Sequence, residues 1–151
     1  MKILFVVYDN GSYDHSFPMG FGAIGGVLIK EGHEIEVWNQ DMHHYPDDNL
    51  RIHLDNHHFD AVFISLIAGY YQYRKLMKIS DAINKSKNRP YYIIGGHGPS
   101  PQPEHFFGKT LADAIVIGEG EETIVDLLGA IGNKETLKGI PGIAYREGTE
   151  V

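Results

Sequence analysis

Two glycine-rich segments are the parts of this sequence best suited to hold a ligand, because each directly follows a short apolar run. Gly95-Gly96-His97-Gly98 is followed by three prolines within the next five residues. Neighbouring glycines permit positive φ and let the backbone approach a ligand closely, while prolines stiffen the chain. The combination predicts a rigid wall with few side chains, and a plain strand-to-helix turn is the alternative.

The second glycine-rich segment, Gly118-Glu119-Gly120-Glu121, precedes an apolar helical pattern. Free N–H groups at the start of such a helix can bind the oxygen atoms of a bulky ligand. Carboxylates at Glu121 and Glu122 also complement the positive end of the helix dipole, so a well-capped helix explains the segment equally well.

Two further segments follow apolar runs. Ser65 supplies one hydroxyl and is followed by the small and apolar residues Leu66-Ile67-Ala68-Gly69. This stretch is suited to lie against a large planar ligand, and is equally typical of a buried strand end. Residues 9–17 form a long polar and aromatic loop, and loops of that length tend to be functional or disordered.

Residues 20–25 match the dinucleotide pattern G-x-G-x-x-G. A dinucleotide fingerprint must follow its strand directly, whereas about ten residues intervene here. Asp41 lies at a plausible distance for a ribose contact, which keeps a nicotinamide or flavin site open as an alternative. We expect instead that these glycines let a helix pack closely on the sheet or on a ligand.

A histidine-rich stretch between residues 41 and 60 suggests a metal site. His53 and His57 are four residues apart, so they would share one face of a helix and could chelate a metal ion. The competing interpretation, which we favour, is a mobile, solvated connection without an apolar frame to fix ligand geometry.

The elements that must position these residues alternate between strands and helices. Short apolar and β-branched runs predict strands at residues 2–8, 34–38, 60–65, 91–95 and 114–117, with a sixth at 142–146 as an option. Helical patterns cover residues 18–31, 47–56, 70–86, 103–107 and 121–131. This alternation predicts an α/β fold: a doubly wound, mainly parallel five-stranded sheet of the flavodoxin-like, or Rossmann-like, class with helices on both faces. Ligands of such sheets bind at the carboxyl ends of the strands, where the four segments above lie.

Composition narrows the functional classes. A length of 151 residues fits one domain, and the lack of cysteine excludes a disulfide, a thiolate metal site or a cysteine nucleophile in this sequence. A net charge of -7 with scattered basic residues argues against nucleic acid as a partner. No apolar run approaches the roughly 18 residues of a membrane span, so we expect a cytoplasmic protein.

Taken together, these segments resemble the cobalamin-binding domain that precedes the radical S-adenosylmethionine (SAM) domain in many enzymes. The resemblance covers residues 1–147, and residues 148–151 would be a tail or the start of a linker. The matching pieces are Pro18-Met19-Gly20, Gly32-His33-Glu34-Ile35, residues 60–65, Gly95-Gly96-His97 with Pro103-Glu104, Asp113 with Gly118-Glu119-Gly120-Glu121, and residues 139–146.

The resemblance implies that cobalamin is held with its dimethylbenzimidazole tail displaced from cobalt. Ser65, Gly95 and Gly96 would line the tail pocket, and Gly118 to Glu121 would flank the nucleotide loop or the corrin amides. The expected cofactor-binding residues are Asp9, Asn10, Gly11, Ser65, Leu66, Ala68, Gly69, Gly95, Gly96, His97, Gly118, Glu119, Gly120 and Glu121. No catalytic residue is expected, because the chain offers no convincing nucleophile–base pair.

Two departures from related patterns refine the hypothesis. The mutase branch supplies a cobalt ligand from D-x-H-x-x-G, whereas Asp14 and His15 are adjacent here and Pro18 stands in place of the glycine. We therefore expect a histidine-off mode, with His15 as the alternative cobalt ligand. The cluster-binding C-x-x-x-C-x-x-C pattern is absent, so SAM and the 4Fe-4S cluster would be bound outside this chain, by a radical SAM domain in cis or in trans.

A phospho-receiver domain shares the fold but needs an aspartate where Ser65 stands.

Overall fold

One mainly parallel sheet is the frame of the computed structural model, which describes residues 1–11, 17–67 and 69–146. Within these ranges the sheet has six strands in the order β2-β1-β3-β4-β5-β6. The first five are parallel and β6 runs antiparallel to β5. The strands are β1 (Lys2–Val7), β2 (Glu34–Asn39), β3 (Ala61–Ser65), β4 (Tyr91–Gly95), β5 (Ala114–Val116) and β6 (Ile143–Tyr145).

Helices cover both faces of this sheet, as the connections between parallel strands require. The helices are α1 (Met19–Lys30), α2 (Gln40–His43), α3 (Asp47–Asn56), α4 (Tyr70–Asn84), α5 (Pro103–Thr110) and α6 (Glu121–Asn133). α1 and α6 pack on one face through residues such as Leu28 and Leu127. α3, α4 and α5 pack on the other through Leu54, Leu76 and Phe107.

The central strands β1, β3, β4 and β5 are largely buried on both sides, which explains their near-continuous apolar sequences, whereas the edge strand β2 is half-exposed and contains two glutamates. In β1, Leu4 and Val6 contribute to the α3–α5 side of the core and Ile3 and Phe5 to the α1–α6 side. The order of the strands reverses at β1: β2 lies on one side of it, and β3 and all later strands lie on the other. Loops at the carboxyl ends of the strands diverge at such a switch and leave room for a ligand.

The predicted fold class is confirmed, with β6 as the optional sixth strand. β4 and α3 span the predicted residues 91–95 and 47–56, while α5 continues to Thr110 beyond the predicted 107. The short helix α2 was not predicted. Within the described ranges, no helix has the length and apolar character that crossing a bilayer demands.

The histidine-rich stretch does have an apolar frame, which corrects the interpretation of a mobile connection, although His43, His44, His57 and His58 are exposed to solvent as expected. Leu50 and Leu54 are fully buried, so α3 packs firmly on the sheet. The His53 ring lies 4.7 Å from the Trp38 ring and 5.6 Å from the Phe59 ring, measured between centroids. The apolar frame thus exists, and sequence reasoning missed it because the leucines are few among many polar residues.

Candidate cofactor-binding site

A cavity of about 940 Å³ opens at the carboxyl ends of β3, β4 and β5. It runs down between the sheet on one side and the first turns of α1 and α6 on the other, with Phe63, Ile93, Val116 and Ile124 deep in its walls. We call this cavity the slot. Its volume lies at the upper end of the range of about 300–1,000 Å³ that small-molecule and cofactor sites occupy.

The loops after β3 and β4 form one wall of the slot and are bonded backbone to backbone. Ser65 pairs with Gly95 in the strand register, the Leu66 N–H donates to the Gly95 carbonyl at 2.9 Å, and the Gly98 N–H donates to the Leu66 carbonyl at 3.1 Å. Gly96 has φ +98°, and a Cβ at this position would collide with the Leu66 backbone. Glycine is therefore required here for the loops to touch, which gives the wall its rigidity.

The loop after β5 forms the opposite rim. Gly118 has φ +81°, and a Cβ there would meet no atom within 4 Å. A Cβ at Gly120 would lie 3.2 Å from Val116 Cγ1 and 3.3 Å from Ile24 Cδ1. Gly120 thus lets the start of α6 approach β5 and α1, while Gly118 faces open space.

The segment before β6 supports this rim. The Ile117 N–H donates to the Gly142 carbonyl at 2.8 Å, and the Thr123 hydroxyl donates to the Pro141 carbonyl at 3.3 Å. Gly142 has φ +74°, which favours glycine. The motif at residues 139–146 therefore holds the β5 loop and the start of α6 in place.

The first turn of α1 closes the slot, and the expected site residues did not include it. Pro18, Met19, Gly20, Phe21 and Ile24 all line the cavity. The signal was the G-x-G-x-x-G pattern, which we correctly judged to be no dinucleotide turn, since it lies within α1. Its first glycine lines the slot, and a Cβ on its last glycine would lie 3.3 Å from Phe5 Cε2.

Most of the expected site residues come together at the slot. Those that line it are Ser65, Leu66, Gly95, Gly96, His97, Gly118, Glu119, Gly120 and Glu121. Asp9, Asn10, Gly11 and Gly69 are not among the lining residues. His15 and Ala68 lie outside the described residues.

Asp9, Asn10 and Gly11 belong instead to a polar cluster beside the end of β1. The Asn10 N–H donates to Asp41 Oδ1 at 2.8 Å, and Asp9 lies 3.7 Å from the Lys75 ammonium. Burial alone would raise the pKa of the Asp9 carboxyl, but the Gly11 N–H bond, Lys75 and a neighbouring histidine together lower it. The cluster fixes the start of the loop after β1.

The slot is apolar inside and acidic at its mouth. Among its described lining residues, Glu119 and Glu121 carry the carboxylates, and His97 is exposed. Within the described chain the Ser65 hydroxyl makes no hydrogen bond to protein and is free to bond a ligand. The arrangement suits a flat, largely apolar group inside and N–H donors at the rim.

The histidine-rich stretch forms no metal site within the described ranges. His53 Nε2 lies 2.8 Å from Glu36 Oε1, and the rings of His53 and His57 are 4.4 Å apart between centroids. These side chains pair with a carboxylate and with each other. The alternative of a chelating His53–His57 pair therefore gains no support from the geometry.

A doubly wound sheet with a deep slot at its carboxyl edge is the architecture of a cofactor-binding domain. The profile of the B12 binding domain matches residues 7–128. The chain belongs to the B12-binding domain family, which confirms the resemblance inferred from the residues.

Curated relatives are considerably longer than this chain. The anaerobic magnesium-protoporphyrin IX monomethyl ester cyclase of Synechocystis is 23% identical over 135 residues, which are 89% of this chain and 27% of that protein. An uncharacterized methyltransferase of Pyrococcus horikoshii is 25% identical over 136 residues, 29% of its length. An uncharacterized protein of Methanopyrus kandleri is 34% identical over 93 residues, 62% of this chain and 15% of that protein.

Solved structures share the fold. The radical SAM methyltransferase TsrM of Kitasatospora setae, with cobalamin and a 4Fe-4S cluster bound, superimposes with a TM-score of 0.78 at 19% identity over 97% of this chain and 27% of that chain. The cobalamin-dependent radical SAM enzyme OxsB, with aqua-cobalamin and SAM bound, gives a TM-score of 0.77 at 19% identity over 99% of this chain and 21% of that chain.

Proposed function

We propose that this chain binds cobalamin in a base-off, histidine-off form and presents it to a radical SAM domain. In this form the dimethylbenzimidazole tail is displaced from cobalt and inserted in the slot. The observation that carries the proposal is the slot itself, which is apolar and bounded by apolar side chains and glycine backbone. Family membership and the cobalamin-bound structures of TsrM and OxsB support it.

The residues of the slot fit such a tail. Gly95 contributes backbone without a side chain to the wall beside Phe63 and Ile93, and a Cβ at this position would make only ordinary contacts with Val116. A planar ring could therefore lie against this part of the wall. The Ser65 hydroxyl, on the strand beside Gly95, is placed to donate one hydrogen bond to a ring nitrogen of the tail. One such bond contributes about 1 kcal/mol.

At the mouth, Glu119 and Glu121 would accept hydrogen bonds from the amide side chains of the corrin ring. Leu66 and His97 would face the ring from the β3 and β4 side. Cobalamin supplies a cobalt centre able to carry a methyl group or an electron. This chain binds and orients the ring and excludes water from the tail, and we propose that residues 1–147 make up the whole domain.

The presentation role rests on the length of the relatives. The chain spans about a quarter of the Synechocystis cyclase and of TsrM, so most of each of those proteins lies outside the matching region. The slot opens at the carboxyl edge, where a second domain has access to the exposed face of a bound ring. By this account the isolated domain holds the cofactor without catalysing a reaction, while SAM and a 4Fe-4S cluster are bound by the second domain.

The test is to mix purified protein with hydroxocobalamin, remove free cofactor by gel filtration and record the visible spectrum. We expect a coloured protein that retains cobalamin at a ratio of about one, consistent with a single slot. After reduction to Co(II), the electron paramagnetic resonance spectrum should lack hyperfine splitting from a nitrogen ligand. Splitting that persists would mean that a nitrogen of the tail or of a histidine binds cobalt and would contradict the base-off, histidine-off form, and no retention at saturating cofactor would contradict cobalamin binding.

The most informative variant is Gly95→Val. Its Cβ makes only an ordinary contact, and a β-branched residue suits a strand end, so the protein should still fold. The added methyl groups would occupy the slot, and retention should be lost. Gly118 is a poorer choice because its φ of +81° would strain any substituted residue. Unchanged retention in Gly95→Val would contradict the assigned pocket.

A further inference from the structure

Helix α1 is apolar around its whole circumference. From Met19 to Ile29 it contains no charged residue, and Lys30 is the first. A helix that is apolar on all sides is normally buried on all sides. Here only one side packs on the sheet, through Phe21, Gly25 and Leu28. Ile24 packs against the same core and Val27 borders α6, whereas Ala23, Gly26 and Ile29 are exposed among the described residues.

The outward side of α1 carries small residues at its centre and ends at the exposed Lys30. Met19, Ala23 and Gly26 are spaced by four and three residues, so they share one face of the helix. All three are exposed, and Met19 is 90% exposed. A Cβ at Gly26 would meet no atom within 4 Å. A second helix can therefore approach the α1 backbone closely at this point.

A groove adjoins this face, between α1 and α6. Its volume is about 400 Å³, with Val27 and Val125 contributing apolar surface and Glu121, Glu122 and Asp126 contributing carboxylates. Its described lining includes no basic side chain. The groove thus continues the apolar face of α1 and gives it an acidic border. We call the residues of this groove and face that do not line the slot the α1/α6 surface: Ala23, Gly26, Val27, Glu122, Val125 and Asp126. Met19 and Glu121 lie at its border with the slot.

We propose that the α1/α6 surface binds an amphipathic helix with a basic flank, presented by another polypeptide chain. The apolar face of that helix would pack on Ala23, Gly26 and Val27. Its Lys or Arg side chains would lie opposite Glu122 and Asp126. Exposed ion pairs contribute little energy, so the apolar contact supplies most of the affinity and the charges select the partner and its orientation.

Two labelled peptides of about 18 residues test this proposal, a length of about five helical turns. Both carry the same leucine face, and one has lysine and the other glutamate along the flank. Fluorescence anisotropy with the full chain should show the lysine peptide binding at least about tenfold more tightly, because charge complementarity discriminates between partners. Equal affinities, or no binding of either peptide, would overturn the proposal.

A matched pair of variants locates the binding surface. Gly26→Gln places a side chain in the centre of the face, and Gly108→Gln does the same at an exposed glycine of α5, on the opposite side of the sheet. Neither Cβ meets an atom within 4 Å, and glutamine favours a helix over glycine, so both variants should fold. Gly26→Gln should weaken lysine-peptide binding about tenfold, as added bulk in a packed contact does. Gly108→Gln should leave it unchanged, and equal losses would overturn the proposal.

Two further experiments test the role of the carboxylates and the oligomeric state of the chain. Glu122→Gln together with Asp126→Asn should reduce the discrimination between the two peptides, whereas Glu104→Gln on α5 should not. Sedimentation of the chain alone should show a monomer. A dimer that Gly26→Gln dissociates would overturn the proposal, because a second copy of this chain would then cover the surface.

Discussion

The slot and the histidine-rich face, formed by β2 and α3, differ in where their chemistry-bearing side chains are directed. The slot is bounded by glycine backbone and apolar side chains, with Ser65 as its inner hydroxyl. On the histidine-rich face, His53 pairs with Glu36 at 2.8 Å and stacks near Trp38. Polar residues there bond to each other, whereas the slot leaves space and bonding capacity for a ligand.

This difference teaches that a site in such a sheet is marked by missing side chains more than by reactive ones. Five histidines within sixteen residues of sequence suggest a metal centre, yet His53 pairs with Glu36 and packs on Trp38, and the other four are exposed. Gly95 and Gly120 carry no reactive group, yet both line a cavity of about 940 Å³. Substitutions in the two regions test whether buried leucines and cavity-lining glycines have these separate roles.

The largest effect is expected for stability on the histidine-rich face. Leu54→Ala removes a fully buried side chain and should lower the free energy of unfolding by about 3 kcal/mol. His57→Ala, at an exposed position, should change it by less than about 0.5 kcal/mol. Urea unfolding measures both. A larger cost for His57→Ala than for Leu54→Ala would show that the histidines, not the leucines, hold this face.

A somewhat smaller effect is expected at the slot, from two glycines of α1. Gly20 lines the slot and Gly22 does not, and a Cβ at either would meet no atom within 4 Å. Gly20→Phe should weaken cobalamin binding by about 2 kcal/mol, roughly thirtyfold, because the ring occupies the mouth. Gly22→Phe should bind as the parent protein does. Equilibrium dialysis measures both affinities. If the two variants bind cobalamin equally well, α1 is not part of the binding site.

The pH dependence of stability gives the smallest and most specific effect. Burial lowers the pKa of the His53 imidazole below its usual 6.5, with Glu36 opposing and with His57 and Lys2 adding to the decrease. The unfolded chain therefore binds the proton more readily than the folded chain. This contribution to stability is fully present above pH 6.5 and is lost as the pH falls below that value.

Glu36 adds a second window at lower pH. Burial would raise the pKa of this carboxyl, but hydrogen bonds from Lys2 and His53 lower it below its usual 4.5. The stability that Glu36 contributes through its lowered pKa is lost as the pH falls through that value.

His53→Gln removes the imidazole and should flatten the loss of stability between about pH 7 and pH 5.5, a window set by the ordinary histidine pKa. The free energy of unfolding is measured with urea at each pH. If its change with pH is the same in His53→Gln as in the parent protein, other groups such as His33 cause the pH dependence.

The sequence predicted the sheet well because the four central parallel strands are apolar runs and the edge strand β2 carries the apolar residues Ile35, Val37 and Trp38. β4 has its predicted bounds, and β3 differs by one residue. The slot was anticipated through Ser65, Gly95 and Gly118, since the carboxyl ends of parallel strands meet at one edge. The contribution of α1 was missed as a site because nothing local tells a helix glycine that faces a cavity from one that faces solvent.

Asp9, Asn10 and Gly11 are expected site residues whose bonds to other protein groups the sequence could not reveal. Their position after β1 placed them among the expected site residues, but Asn10 is bonded to Asp41, 31 residues away. Lys75 approaches Asp9 from α4. Such partners are brought together only by the folded sheet, so sequence spacing could not show that these groups are engaged with protein.

The most direct test of the slot as the tail pocket compares cobalamin with cobinamide, which has the same corrin ring but lacks the dimethylbenzimidazole nucleotide. If the tail lies between α1, α6 and the sheet, cobalamin should bind at least about a hundredfold more tightly than cobinamide, since burying an aromatic group of this size contributes about 3 kcal/mol. Gly95→Val should remove most of that difference by weakening cobalamin alone. Equal affinities of the two corrinoids for the parent protein would contradict the account.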